Sequence, residues 1–273
     1  YRSRRIESII QEASDLVENG AKELILVAQD VAKYGEDLYK RNRLADLIIE
    51  LSKLEKLKWI RLLYCYPEHL TDNALDEIKN NPKVCAYVDI PFQHCNNEIL
   101  KVMNRKVQKG DLVRLIESLK KSDKDIAIRS TFILGFPGET KKDFKELIKF
   151  IKEYKMPNVG FFTYSREDGT VAARLENQID EITKKRRLLK AVRVQKNIVK
   201  QYNKSLVGKT IKVLYEGIDS ETGKDFGRSE YQAPDIDTIT FITNGGRLKV
   251  GEFYNVTIDK VKGYDLYGHV EED

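Results

Sequence analysis

The sequence predicts an α/β domain of parallel strands with helices on their outer face, followed by a small all-β antiparallel barrel. Over roughly the first three quarters of the 273 residues, short apolar runs alternate with segments of helical periodicity. That alternation implies parallel strands joined by crossover helices. After about Val207 the helical periodicity stops. About five short alternating segments follow, separated by Gly, Asn and Asp turns, which is the texture of a small barrel. We therefore divide the chain into residues 1–206 and 207–273.

Each element has a local reason. Arg4–Asn19 carries apolar residues at 6, 9, 10, 13, 16 and 17 and stops at Gly20, the pattern of an amphipathic helix with a glycine just past its end. The runs "KELILVAQD" (22–30), "KWIRLLYCYP" (58–67), "VCAYVDIPFQH" (84–94), "DIAIRSTFILGF" (125–136) and "NVGFFTYS" (158–165) are short, rich in β-branched or aromatic residues, and bounded by turn formers, as buried strands are. Helices are predicted between them at Leu44–Leu57, Thr71–Asn80, Gly110–Lys121 and Thr140–Tyr154, with Thr71 and Thr140 as N-caps. A long basic helix, Glu181–Ser205, closes this part. The series opens on a helix, so a strand preceding Tyr1 is expected. Beyond Val207, "KTIKVLYEGI", "DFGRSEYQA", "TITFIT", "KVGEFYNVTIDKVK" and "YDLYGHV" supply the strands of the barrel.

Composition narrows the function. No stretch reaches 18 uninterrupted apolar residues, so no membrane span is expected. The opening "YRSRRIESII" is charged from its second residue, so no signal peptide is expected there. Cys65, Cys85 and Cys95 are odd in number and lie 20 and 10 residues apart. That is neither a disulfide framework nor a zinc pattern, and a reducing cytoplasm is the natural setting. They read as buried small apolar groups. Charge separates the two parts. Residues 207–273 hold 8 basic and 13 acidic residues, a net of −5, while the whole chain is +5, which leaves +10 on residues 1–206. Lys184–Lys200 holds eight basic residues and no acid, most simply a solvated face.

Ligands of parallel βα domains sit at the carboxyl ends of the strands. Those ends supply Gln29 and Asp30, Tyr66 and Pro67, Gln93 and His94, Gly135 to Glu139, and Tyr164 to Arg166. Arg129 stands inside the apolar run "RSTFILGF", where a buried unpaired charge would cost several kcal/mol or more. Alternation places it with Ala127, Thr131 and Ile133. If that face is an interior cavity, its guanidinium suits a carboxylate or phosphate. Gly135 and Gly138, flanking Phe136-Pro137, allow close backbone approach to a ligand. No GxGxxG or P-loop pattern accompanies them, which argues against a nucleotide pyrophosphate. The residues leave bland readings open. Arg129 could pair with a buried acid such as Asp89. Gln29 and Gln93 could simply cap strand ends, and Asp30 could be an N-cap. His94 reads as a hydrogen-bonded rim residue, and His69 and His269 as surface groups.

"AQD" with Tyr34-Gly35, "DIPFQH", "ILKVMNR" (99–105), "RSTFILGFPGET" and "YSREDGT" (164–170) occur in an order that resembles the radical S-adenosylmethionine methylthiotransferases. The terminal barrel resembles their TRAM domain. "VAQD", "YVDIPFQH" and "GRSEYQAPDID" (227–237) are similar to the branch acting on an aspartate of protein twelve of the small ribosomal subunit. The tRNA-adenosine branch usually has Gly-Gln-Asn and Leu-Pro-Val-Gln-Ser in the first two places. The resemblance covers essentially the whole chain. It implies a partial TIM-type barrel of six strands with the first missing here. It also implies S-adenosylmethionine and two 4Fe–4S clusters as cofactors of the complete enzyme. The family's C-x3-C-x2-C cluster loop and a second cysteine-bearing domain would precede Tyr1, so this chain alone is expected to be inactive, with no metal ligands and no catalytic residue of its own. By family position Gln29, Gln93 and Arg129 would face the cofactor, and Gly135 and Phe136 would flank its adenine. The implied partners are the ribosomal protein, held in part by the TRAM barrel, and an electron-donor protein. An acidic barrel favours a basic protein over tRNA. The competing readings are a tRNA-adenosine methylthiotransferase and a non-catalytic RNA- or ribosome-binding module.

Overall fold

The computed structural model describes residues 1–271. Helix α1 (Ile6–Glu18) leads into β1 (Glu23–Leu26), followed by α2 (Glu36–Tyr39), α3 (Leu44–Ser52), β2 (Trp59–Leu62), α4 (Asp72–Asn80), β3 (Val84–Asp89), α5 (Asn97–Val102), α6 (Lys109–Lys120), β4 (Ala127–Leu134), α7 (Lys141–Tyr154), β5 (Asn158–Thr163) and α8 (Glu181–Leu206). Thr71 accepts the Ala74 N–H, and Thr140 forms a capping box with Asp143, so both predicted caps start their helices. The short α2 and α5 were not anticipated. At four and six residues they are too short to show a helical period.

The five strands form one parallel sheet in the order β1-β2-β3-β4-β5. Alternation assigns each side chain to a face. Ile60, Leu62, Val84, Ala86, Val88, Ile128, Phe132 and Leu134 join the main core under the helices. Phe92, Phe132 and Phe150 meet edge to face at 6.1 to 6.5 Å. Trp59, Leu63, Cys85, Tyr87 and Ala127 turn to the opposite, inner face. All three cysteines are buried and free. Among the described residues no helix is long and apolar enough to cross a membrane.

The remaining strands, β6 (Thr210–Ile218), β7 (Asp225–Ser229), β8 (Thr240–Ile242), β9 (Phe253–Lys262) and β10 (Asp265–Val270), close into a barrel in the order β10-β8-β7-β6-β9. The expectation of an antiparallel barrel holds for four of its pairings, but β8 and β10 run parallel. An odd number of strands cannot close with every neighbour antiparallel, so one parallel pair follows from counting.

The barrel docks on the inner face of the sheet, near the strand starts. Leu214, Ala233 and Phe253 pack with Trp59, Cys85, Tyr87 and Ala127, and the Trp59 and Phe253 rings meet at 4.6 Å. Two buried polar clusters fix the register. Arg61, fully buried, bonds Glu23 at 2.6 Å and the Glu230 carbonyl at 2.7 Å. Arg228 from the barrel reaches Glu23 and Glu216 at 2.7 Å each. In the second cluster, Asp237 accepts from Arg129 at 2.6 Å, Tyr87 at 2.7 Å and the Ala233 N–H at 3.0 Å. The segment "GRSEYQAPDID" is thus the clamp between the two parts.

Candidate functional site

Proline builds the centre of the strand-end region. Pro91 has no N–H to continue the ladder after β3. Pairing resumes two residues on, where the Gln93 N–H donates to the Thr131 carbonyl and the Ile133 N–H donates to the Gln93 carbonyl, both at 2.8 Å. Gln93 takes φ +66° to do so, a left-handed conformation costing a non-glycine residue about 1 kcal/mol or more. Its side-chain Oε1 is buried without a partner among the described residues. An unsatisfied buried acceptor costs about 1–3 kcal/mol, so both penalties fall on one residue.

That amide lines a cleft of about 450 Å³, walled by Met103, Ile133, Phe136, Val171 and Ala172, with Asn104 and Arg105 at its polar side. Phe136 stands edge-on to Tyr164 at 5.3 Å. Arg105 ties three loops together: it bonds Glu68 at 2.8 Å and the Pro91 carbonyl at 3.3 Å, and lies 4.3 Å over the Tyr66 ring. An apolar slot carrying one orphan amide acceptor suits a flat heterocycle with an N–H or O–H to donate.

The predicted residues separate. Gln93 and Phe136 meet in the cleft. Gly135 does not line that cleft, and the side its Cβ would occupy is filled. A Cβ on it would lie 2.4 Å from Lys184 Cγ, so the space belongs to α8. Gln29 is exposed in the loop after β1 and is not part of the cleft wall. Arg129 does point from the inner face, but four residues before Ile133, about 13 Å down the strand. There it borders a cleft between the sheet and the barrel and pairs with Asp237, with Asp89 at 3.9 Å from its Nε. Asp30 is a tie rather than a site residue. It caps the turn at Val31–Lys33 and accepts from the Tyr66 N–H, with His69 at 2.5 Å.

His94 corrects the rim reading, since it is completely buried. Its Nδ1 accepts from the Asn96 N–H at 2.9 Å, so the proton sits on Nε2, 3.9 Å from Glu139. Burial pushes its pKa down to about 4. Glu139 is raised above the usual carboxylate range, first by burial, against the pull of Arg187 at 2.8 Å. It accepts the Gly135 N–H at 2.7 Å, which holds the Gly-Phe-Pro-Gly turn. A histidine depressed in the folded state stabilises above its unfolded pKa of about 6.5 and loses that contribution as pH falls through about 4. The loss is about 3 kcal/mol over this window. His94→Gln is expected to flatten the acid limb of a stability-versus-pH curve measured by urea unfolding. An unchanged limb would show that His94 does not titrate as assigned.

Sequence reasoning gave no role to Arg105, Met103, Val171, Ala172 or the Glu139–Arg187 pair. "ILKVMNR" and "YSREDGT" were visible as motifs, but only the fold brings them over Gln93.

Two groups are implied by the family resemblance. The cleft fits the adenosine part of S-adenosylmethionine, on the ground of the orphan Gln93 acceptor and its apolar walls. The residues present do not fit an iron–sulfur cluster. Among the described residues no three His, Cys, Asp or Glu side chains converge to hold a metal.

Residues 1–151 match the Radical SAM superfamily and residues 207–270 the TRAM domain. The ribosomal protein uS12 methylthiotransferase RimO of Clostridium botulinum (strain Eklund 17B / Type B) is 48% identical over 273 residues, covering 100% of this chain and 61% of that protein. The protein of the same name from Thermoanaerobacter sp. (strain X514) is 46% identical over 268 residues, covering 98% and 61%. The chain thus spans about three fifths of the length of these relatives. Coproporphyrinogen III oxidase (HemN) from Escherichia coli, a radical SAM enzyme, superposes with a TM-score of 0.56 at 12% identity, over 82% of this chain and 57% of that one, a likeness of fold alone. A parallel sheet with its cleft at the strand ends, and a superfamily match over more than half its length, lead to one assignment: this chain belongs to the radical SAM superfamily and carries a TRAM domain behind it.

Proposed function

We propose that the chain is the larger part of a methylthiotransferase that adds a methylthio group to the β-carbon of an aspartate in a small-subunit ribosomal protein. The observation that carries this reading is the 48% identity, sustained over all 273 residues, to a uS12 methylthiotransferase. In the complete enzyme S-adenosylmethionine supplies the radical chemistry that removes hydrogen from an unactivated C–H bond. Two 4Fe–4S clusters belong to the complete enzyme too, and their ligands are assigned to the part of the relatives this chain does not span. An electron-donor protein and a cytoplasmic setting complete the reading.

The chain's own residues bind and position. Gln93 orients the nucleoside through its free acceptor. Ile133, Met103 and Phe136 keep the slot dry. Glu139, held by Arg187, fixes the turn that presents Phe136, and Gln29 is exposed near the strand ends. Residues 1–206 form the catalytic scaffold and 207–273 the barrel. The barrel's net of −5 suits a basic ribosomal protein and speaks against tRNA on that surface.

The test is intact-mass spectrometry of small-subunit ribosomal proteins from host cells with and without this gene. Deletion should remove the mass of one methylthio group from one protein. If every ribosomal protein keeps its mass while methylthiolated adenosine disappears from tRNA, the tRNA reading replaces ours. If neither changes, the non-catalytic reading gains.

A further inference from the structure

We propose that the outer face of α8, with the adjoining side of α7, binds a structured RNA through its phosphate backbone. Helix α8 runs 26 residues and has no acid after its first residue, Glu181. Lys185, Arg186, Lys190, Arg193, Lys196, Lys200 and Lys204 are all exposed. The helix's ion pairs are made by other residues, Lys184 with Glu181 and Arg187 with Glu139. None of the seven lies in a salt bridge among the described residues, nor do the exposed Lys141, Lys142, Lys145, Lys149 and Lys152 of α7. The two helices pack together, with Arg187 5.7 Å over the Phe144 ring. The acids of α7 are largely engaged elsewhere. Asp143 closes the Thr140 cap and Glu146 holds Lys109 at 2.8 Å.

The arrangement is linear and of one sign. Arg186, Arg193 and Lys200 stand seven residues apart, on nearly the same side of the helix, with about 10.5 Å between successive members. Lys185 to Lys204 spans about 29 Å. Ordinary surfaces intersperse both signs, whereas a rod of unpaired cations matches a polymer that carries charge at regular intervals and releases counterions on binding. A membrane fits less well. An amphipathic helix on a bilayer needs its apolar face free, and here Leu188, Ala191, Val194 and Ile198 are committed to the protein core, which leaves Ile182, Leu189 and Val192 as the exposed large apolar residues of a face otherwise lined with cations. The chain's own acidic barrel meets only the C-terminal end of α8, where Asn203 bonds the Tyr264 carbonyl at 2.7 Å and Leu206 joins the barrel core, and it leaves the seven cations exposed. This surface is separate from the cleft, and the inference goes beyond the substrate assigned above.

The test is fluorescence anisotropy of the 273-residue chain with a labelled RNA hairpin of about 24 nucleotides, titrated over a salt series. Arg186→Glu/Arg193→Glu/Lys200→Glu is compared with a matched triple on the exposed face of the barrel, Lys209→Glu/Lys249→Glu/Lys262→Glu. The helix triple should weaken binding at least about 10-fold and lower the slope of log affinity against log salt by about 3. The barrel triple should change neither by more than about 2-fold. Circular dichroism and urea midpoints check that both triples fold. Three results would overturn the proposal: no salt-dependent RNA binding by the parent chain, equal loss in both triples, or tighter binding to phosphatidylserine vesicles than to RNA.

Discussion

Gly227→Ala is expected to lower the unfolding free energy by about 3 kcal/mol, the upper end for forcing one extra carbon into a packed site. A Cβ at 227 would stand 2.3 Å from the Leu214 carbonyl oxygen and 2.7 Å from Val213 Cγ1. The first contact is backbone, so no rotamer change relieves it. Gly227 pairs with Tyr215, beside the irregularity between Tyr215 and Gly217 in β6. Gly268 repeats the geometry, 2.3 Å from the Thr257 carbonyl oxygen, where the β9–β10 register shifts between Tyr267 and Gly268. A five-stranded barrel is narrow, and its strands must coil sharply to close. Glycine at the corners is how sheets do this. Gly246 has nothing within 4 Å of a built Cβ, so Gly246→Ala should shift stability by less than about 0.5 kcal/mol. Urea unfolding followed by Trp59 fluorescence reads the difference, because Trp59 packs on Phe253 of the barrel. Equal stability of the two variants would mean that the barrel accommodates the extra carbon.

The parallel half was legible because its signals are local. Each strand is a short β-branched run bounded by turn residues, and each long helix has an amphipathic stripe or a threonine cap. The barrel's strands were equally plain, while its closure was not. The parallel β8–β10 pair joins residues far apart in sequence, and nothing within either strand says which edge it meets. The same limit hid the clamp. Arg61 and Arg228 each look like a misplaced charge in a strand, and only docking brings Glu23 between them. Replacing both arginines with residues of similar volume would leave that carboxylate buried alone, which is why the cluster works as a unit.

The strand-end rule brought Gln93 and Phe136 to one cleft, because position along a strand predicts which end of the sheet a residue occupies. It could not find Arg105, which acts by stacking on Tyr66 and bonding Glu68 across three loops. Gly135 was read as room for the close approach of a ligand. What approaches is Lys184, and a sequence does not name the neighbour that fills a glycine's empty side. His94 was misplaced for a related reason. Polarity suggests a rim, yet the turn after Pro91 folds this ring inward, under Glu139.

Arg129→Ala is expected to destabilise the chain by about 3 kcal/mol and to leave S-adenosylmethionine affinity within about 2-fold, the reverse of what a cofactor-binding arginine would give. The guanidinium bonds Asp237 at 2.6 Å, and Asp237 also accepts from Tyr87 and from the Ala233 backbone. Truncating one partner of such a pair leaves a buried carboxylate uncompensated, which costs about 3–5 kcal/mol. Arg129 keeps 19% of its side chain in solvent, which places the expectation at the low end. The acid limb of the stability curve provides the second readout. Asp89 is already raised above the usual carboxylate range, first by burial, with Arg129 lowering it and Asp237 raising it. Removing the cation raises it further. An acid raised in the folded state contributes stability below its unfolded pKa of about 3.9 and loses that contribution as pH rises through the folded value. The deficit of Arg129→Ala should therefore be largest near neutrality and narrow as pH falls toward 4. Arg129→Lys, which keeps the charge and loses the fork, should recover part of the deficit at neutral pH. Calorimetry with S-adenosylhomocysteine tests the other arm, with Gln93→Ala expected to weaken binding about 10-fold as the positive control. A large loss of nucleoside affinity in Arg129→Ala at unchanged unfolding free energy would return this arginine to the cofactor and leave Asp237 as a bystander.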